Sequence, residues 1–254
     1  MDSGRPVHAN RVFSAIRKLF NWCVERGLLE TSPCLNVKAP TREKPRDRVL
    51  GSEELRLVWR ASGAMPYPYG PWIRLLILTA QRRDEVAHMT WSEVSLDAGL
   101  WTIPKERAKN DQAHLVHLTP TAVDLLRALP RRAGTDFVFT ATGHTPISAF
   151  SDAKEALDAR IVADLRKETA DLGGDPDTVR PLPSWRFHDL RRTAATLMAE
   201  AGIPPHVVDK ILNHTQGTIT GVAAIYNRHQ YLEERRQALA AWAERLTALS
   251  VDGG

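Results

Sequence analysis

The stretch Arg186-Phe187-His188-Asp189-Leu190-Arg191-Arg192-Thr193 sets an imidazole and a guanidinium three residues apart. On a helix that spacing makes them neighbours on one face. With roughly 100° per residue and Leu190 at zero, Ala194, Leu197 and Ala201 fall within about 40° of Leu190 and form a core stripe. His188 then lies near ~160° and Arg191 near ~100°, both off the stripe and facing solvent or a substrate. An imidazole can move a proton, and a guanidinium can hold an anion with a planar fork of N–H donors. Taken alone, a His-x-x-Arg pair is more often a solvated surface feature, so its meaning depends on what else the chain supplies.

The chain supplies several further groups. Thr79-Ala80-Gln81-Arg82-Arg83-Asp84-Glu85-Val86 sets Arg82 in a turn between two helices. Ile211-Leu212-Asn213-His214 closes another helix, and Gly221-Val222-Ala223-Ala224-Ile225-Tyr226-Asn227-Arg228 forms the next. Tyr226 is one of four tyrosines. Tyr67 and Tyr69 flank Pro68 in a turn and read as structural, which leaves Tyr231, at the start of the last helix, as the one rival phenol.

In this order, Arg82 with Glu85, His188 with Arg191, His214 and Tyr226 resemble the active site of the tyrosine recombinases of the phage-integrase type. The resemblance runs along essentially the whole chain. Two features depart from the family pattern: Tyr226 stands twelve positions after His214, more than is usual, and Ala80-Gln81 stands where a Gly-Leu pair is common. Neither departure removes a functional group. The family's remaining catalytic residue is a lysine at a β-hairpin tip. Lys109, just before the strand His114 to Leu118, fits that place, and Lys105 is its rival on the same hairpin.

The resemblance implies cleavage and rejoining of double-stranded DNA through a 3′-phosphotyrosyl intermediate and a free 5′-hydroxyl. That chemistry has physical reasons of its own. Attack on a phosphodiester gathers negative charge on the non-bridging oxygens, which Arg82 and Arg191 can clamp with charge-assisted bonds. A phenol of pKa about 10 is a weak nucleophile until its proton is accepted. His188 would assist as acid/base, His214 would bond a non-bridging oxygen, and Lys109 would protonate the leaving 5′-oxygen. Glu85 would buttress the arginine turn. The covalent bond conserves the energy of the broken one, so no cofactor is expected. No Gly is followed by Lys, which excludes a phosphate-binding P-loop, and HExxH is absent. His114 and His117, three apart on a strand, face opposite sides and make no metal pair. No metal site is expected.

The elements needed to position these groups are legible in the periodicity. Helices are predicted at His8 to Arg26, Ser52 (as N-cap) to Ser62, Gly70 to Thr79, Thr121 to Leu129 and Ser148 to Thr169. Others are predicted at Phe187 to Ala201, Pro205 to Asn213, Ile219 to Arg228 and Tyr231 to Leu249. Leu100 to Ile103 and His114 to Leu118 alternate like the arms of a hairpin. The fold class is mainly α (α+β), with one small antiparallel β-sheet. Residues 51–254 read as the catalytic domain, 41–50 as a basic linker, and 1–40 as the C-terminal remnant of the family's helical core-binding domain. Arg42, Lys44, Arg46 and Arg48 of the linker, with Arg192, are candidate DNA contacts.

The 254 residues are 43% hydrophobic and 25% charged, enough apolar content for a substantial core. A formal net charge of +4 leans modestly toward a polyanionic partner. Two cysteines form no disulfide framework. No signal-like opening or membrane-length apolar run is present, so a cytoplasmic protein is expected. In the last helix Leu232, Leu239, Trp242, Leu246 and Leu249 make a stripe that packs on the chain's own core or docks on a neighbouring subunit. The seven tryptophans, Trp22, Trp59 and Trp242 among them, read as packing residues. The expected reaction is site-specific integration or excision of a phage or other mobile element by a homotetramer on DNA. Two other readings are a relaxing enzyme of the type IB topoisomerase kind and a DNA-binding module that does not cut.

Overall fold

The computed structural model describes residues 6–42, 47–108, 110, 112–214 and 229–251. Lys109, Tyr226, Lys44 and Arg46, and the helix expected at Ile219 to Arg228, lie outside the described residues. The chain forms two compact units, Met1–Asp47 and Arg48–Gly254.

In the first unit, α1 (Pro6–Glu25) ends where Gly27 adopts φ +68°. Gly27 N–H donates to Val24 O (3.0 Å) and Leu28 N–H to Cys23 O (2.9 Å). This is the paired closure a left-handed residue gives a helix C-terminus, and glycine adopts it at little steric cost. Asn10 fastens the following segment by donating to Thr41 O and accepting from Thr41 N, at 2.8 and 3.0 Å. Trp22, expected as a packing residue, is instead exposed, as are Val12, Ile16 and Leu19 on the same helix.

The second unit is mainly helical with one small sheet. α2 (Ser52–Gly63) is capped by Gly51, so Ser52 is the first helical residue and not the cap expected from its type. Glu54 makes this start work: its carboxylate accepts from Gly51 N at 2.8 Å. α3 (Tyr69–Thr79) is the central helix, with Trp72, Ile73, Leu75, Leu76, Ile77 and Leu78 all buried. A helix apolar on every side has no solvent face to offer and must be surrounded. α2, α5 (Pro120–Arg127), α7 (Phe187–Glu200) and the last helix, α9 (Leu232–Val251), pack on it.

A short helix α4 (Arg83–Ala87) follows α3. Three antiparallel strands come next: β1 (Val94–Ser95), β2 (Leu100–Ile103) and β3 (His114–His117), in the order β1-β2-β3. β1 is too short to show a period and was not anticipated. Trp101 pairs with Val116 and Ile103 with His114, and all four are buried on one face. α6 (Phe150–Asp171) begins with a ring stacked on Trp72 (centroids 5.1 Å). Phe187, first residue of α7, meets the same indole edge-on at 4.9 Å. These aromatic contacts fix where α7 starts, and with it His188. α8 (Pro205–Ile211) runs beside α7.

α9 settles its two expected roles in favour of self-packing. Leu239, Trp242 and Leu246 are buried against this unit's own core, and the Trp242 indole donates to Ile77 O at 2.8 Å. Leu232 alone of that stripe is exposed. On α7 the expected core residues Leu190, Ala194 and Leu197 are buried, but Ala201, at the frayed end, is exposed. Among the described residues no helix is long and apolar enough to cross a membrane.

Candidate active site

The site is assembled where the α3–α4 turn, the start of α7 and the end of α8 meet. The turn is made by Ala80, which takes the left-handed conformation at φ 54° and is fully buried. The glycine common at this position would adopt it without Cβ strain. Gln81 is buried too, and its amide donates to Thr79 O and Ile211 O at 2.8 and 2.9 Å. It ties the turn to α8 across more than a hundred residues of sequence.

Arg82 emerges at the N-cap of α4. Glu85, buried at the third position of that helix, accepts from Arg82 N (3.1 Å) with one oxygen and from Arg82 Nη1 (2.8 Å) with the other. Arg82 Nη2 donates to Asn213 O at 3.3 Å. Arg191 comes from the opposite side. Its Nη1 donates to Ala80 O at 2.8 Å and its Nη2 to Leu212 O. The two guanidiniums therefore end on consecutive carbonyls just past the last turn of α8. Helix C-terminal carbonyls lack intrahelical donors and carry partial negative charge, so both arginines satisfy them while being held by them.

Arg191 corrects the helical-wheel expectation. It is 5% exposed, not solvent-facing. Burial, then the Arg82 charge, pull its pKa down to about 9 against the stabilising pull of Glu85. The group is still a cation at neutral pH. A guanidinium has five N–H donors, and each arginine directs only part of that set at these carbonyls and at Glu85. The remainder is the part of each set that can serve an anion's oxygens.

His188 is exposed on the first turn of α7, next to the buried, ring-packed Phe187. Partial desolvation, then the charges of Arg191 and Arg192, lower its pKa; Asp189 opposes and Arg82 adds to the lowering. These influences favour the neutral imidazole, the form able to accept a proton. Asp189 is buried and caps α7 by accepting from Arg186 N at 2.9 Å. It also takes Arg192 Nη1 at 2.7 Å, so Arg192 is held at the surface of the protein and not free. His214 is exposed, with Nδ1 3.1 Å from the Asp209 carboxylate. A carboxylate only accepts, so Nδ1 carries the hydrogen and Nε2 is left as the acceptor nitrogen.

A cleft of about 720 Å³ opens beside Arg82 and His188, with Arg83, Lys154, Trp185 and Arg186 on its walls. Sequence reasoning did not single out these four, nor Asp209, whose place five residues before His214 was the available signal. Lys154 lies over the Trp185 ring at 4.0 Å and Arg83 over Phe150 at 4.3 Å. Lys105 is exposed on the hairpin. Of the linker candidates, Arg42 is exposed, whereas Arg48 is half-buried and spent on Glu54 and Val49 O. His114 is buried and His117 half-buried, on opposite faces of β3. Among the described residues no cluster of three or more His, Cys, Asp or Glu could hold a metal.

A small antiparallel sheet set against a helical core, with Arg82 and Arg191 bonded to the two carbonyls that precede His214, frames the site. The phage integrase family profile matches residues 52–233, and the chain belongs to that family. It is 27% identical over 257 residues to prophage integrase IntA of Escherichia coli K12, covering 96% of this chain and 57% of that protein. Tyrosine recombinase XerC of Xanthomonas campestris is 27% identical over 223 residues, 85% of this chain and 63% of the relative. The fold matches a lambda integrase tetramer bound to a Holliday junction with a TM-score of 0.59 at 19% identity, over 87% of this chain and 62% of that one. The chain spans about three fifths of the length of the first curated relatives it matches (57%, 62% and 58%).

Proposed function

We propose that this chain is the catalytic part of a site-specific DNA recombinase that integrates or excises a phage or other mobile element. Its substrate is double-stranded DNA, cut one strand at a time. The Tyr226 oxygen attacks phosphorus and its proton passes to neutral His188. The bond from phosphorus to the 5′-oxygen breaks, and that oxygen takes a proton from Lys109. Arg82 and Arg191 hold the non-bridging oxygens, His214 bonds one of them, and Glu85 keeps Arg82 in place. The 3′-phosphotyrosyl product conserves the bond energy, so attack by a 5′-hydroxyl reverses the step without nucleotide, metal or other cofactor. Residues 51–254 act as the catalytic domain, 41–50 as a linker and 1–40 as part of a DNA-clasping domain. The working form is a homotetramer on two DNA sites in the cytoplasm, at the nucleoid. Arg42, Lys44, Arg46, Arg48 and Arg192 are DNA contacts in this reading, with Arg48 and Arg192 the weaker members because carboxylates already hold them.

The observation that carries the proposal is the arrival of Arg82 and Arg191 on neighbouring carbonyls, Asn213 O and Leu212 O, immediately before His214. Two guanidiniums side by side repel, and a site that keeps them together in a partly water-excluded position is complementary to an anion with several oxygens. Membership of the family supports the same reading. Incubation with a nicked suicide duplex tests it. An SDS-resistant protein–DNA adduct is expected, and Tyr226→Phe should abolish it while Tyr231→Phe leaves it. The Tyr231 ring lies against His206 and His229, at 4.7 and 4.6 Å. DNA binding that weakens with salt but never yields an adduct would overturn the enzymatic reading.

A further inference from the structure

The tip of the β2–β3 hairpin is fastened on both sides of position 109. On the near side, Arg107 Nε donates to Glu93 at 2.8 Å, and its Nη1 donates to Glu85 O at 3.2 Å. On the far side, Asn110 and Asn213 exchange side-chain amide bonds. Asn110 Nδ2 donates to Asn213 Oδ1 at 2.8 Å, and Asn213 Nδ2 donates back to Asn110 Oδ1 at 3.2 Å. Asn213 stands at φ 50°, left-handed, just past α8. The turn needs only a residue that tolerates that conformation, and glycine tolerates it best. The reciprocal amide pair is therefore beyond what the turn requires. The backbone of Asn213 is also the carbonyl that Arg82 Nη2 holds. One residue thus grips the hairpin with its side chain and the arginine cluster with its main chain.

We propose that the Asn110–Asn213 amide pair is a positioning device that fixes the register between the hairpin tip and the two-arginine cluster. It ties the hairpin tip, which in the proposed function supplies the proton for the leaving 5′-oxygen, to the residue whose carbonyl Arg82 holds. This rests on the reading of Lys109 as the donor of that proton. Neither asparagine is assigned a bond-making or bond-breaking step. Arg107 contributes from the other flank, through the backbone of the residue that buttresses Arg82.

The test compares two suicide duplexes, one with an ordinary 5′-oxygen and one with sulfur in the bridging position. A thiolate leaves without a proton, so sulfur removes the need for the acid and leaves the phosphate clamp untouched. Asn110→Ala, Asn213→Gly and the double variant are assayed in single turnover, with Lys109→Ala as reference. Asn213→Gly keeps the left-handed turn while deleting the amide. Asn110→Asp, which keeps the size and loses the donor, stands in if Asn110→Ala does not fold, and thermal melts report folding throughout. Each single variant is expected to cleave the oxygen duplex roughly 10- to 100-fold slower, the range for an acid displaced by about an ångström. The double variant should be no slower than the worse single. Sulfur should restore all of them to within about threefold of the parent on the same duplex. Equal loss on both duplexes, or no loss on either, overturns the positioning role. Rescue of the asparagine variants without rescue of Lys109→Ala keeps the pair's role but overturns Lys109 as the donor. Rescue of Lys109→Ala alone leaves the donor assignment standing and sinks the pair.

Discussion

Acid should weaken this fold through His114, and by an amount large enough to measure. His114 lies in β3, 5% exposed, with Nε2 3.1 Å from Ile211 O. Burial above all, then the Arg235 charge, holds its pKa down to about 3, against an ordinary 6.5; Arg191 and Arg82 add to this and the Ile211 carbonyl opposes. Below pH 6.5 the unfolded chain takes up a proton that the folded chain refuses until about pH 3. The stability contributed by the neutral imidazole is therefore complete above pH 6.5 and declines as pH falls toward 3. The slope in that window is about 1.4 kcal/mol per pH unit. From pH 7 to pH 5 the loss from this residue is ~2 kcal/mol, a sizeable part of the roughly 5–15 kcal/mol that holds a typical domain folded.

His117 and His188 are shifted in the same direction and contribute to the overall acid sensitivity, so a variant must isolate His114. His114→Gln does so, since its amide can still donate to Ile211 O but does not titrate. Urea unfolding of both proteins at pH 7, 6 and 5 gives the comparison. The stability of the parent relative to His114→Gln should fall by ~2 kcal/mol across that range. A difference constant to within about 0.5 kcal/mol would refute the reasoning, because it would mean that the folded and unfolded chains bind this proton alike. The effect bears on the site as well. Ile211 O also accepts from Gln81, and the next two carbonyls hold Arg191 and Arg82. A proton on His114 places another cation beside that cluster.

Three further predictions concern the same junction. Arg191→Lys keeps the charge but loses the planar fork that reaches Ala80 O and Leu212 O through two separate nitrogens, so adduct formation should slow by at least about 100-fold, and thermal melts should register a loss of ~1–3 kcal/mol. Thr193 accepts from Leu50 N at 2.9 Å and donates to Asp189 O at 2.8 Å, with no exposed surface. Thr193→Val leaves the Leu50 N–H without a partner and should cost ~1–3 kcal/mol in urea unfolding. At Ala80, glycine relieves the left-handed strain but gives up a buried methyl, so Ala80→Gly should unfold within about 1 kcal/mol of the parent. Ala80→Val adds bulk and β-branching at φ 54° and should lose ~2 kcal/mol or more.

Much of the architecture could be read from the chain because it is written in local periodicity. α3, α5, α7 and α8 begin and end within a residue or two of their predicted limits, since apolar spacing and capping chemistry act over a few neighbouring residues. The hairpin arms were legible for the same reason, as strict alternation needs only four residues to be recognised. Arg82, Glu85, His188, Arg191 and His214 were legible as a set through their order along the chain. Their proximity was not derivable from any one segment.

What tertiary structure alone decided is what lies beside each element. The helical wheel put Arg191 off the core stripe of α7, which is correct for α7 in isolation. The α3–α4 turn and the end of α8 then close over that flank and bury the guanidinium against two carbonyls. Trp22 and Ala201 err in the opposite direction, apolar residues that are exposed. Gln81 to Ile211, Arg82 to Asn213 and Asn110 to Asn213 join residues more than a hundred positions apart. Polar contacts of that kind leave no period in a sequence, because each depends on one donor meeting one acceptor after the chain has packed. The sequence determined which groups were available and on which elements they would ride. Only the packing of those elements set which charges were buried and which carbonyls held them.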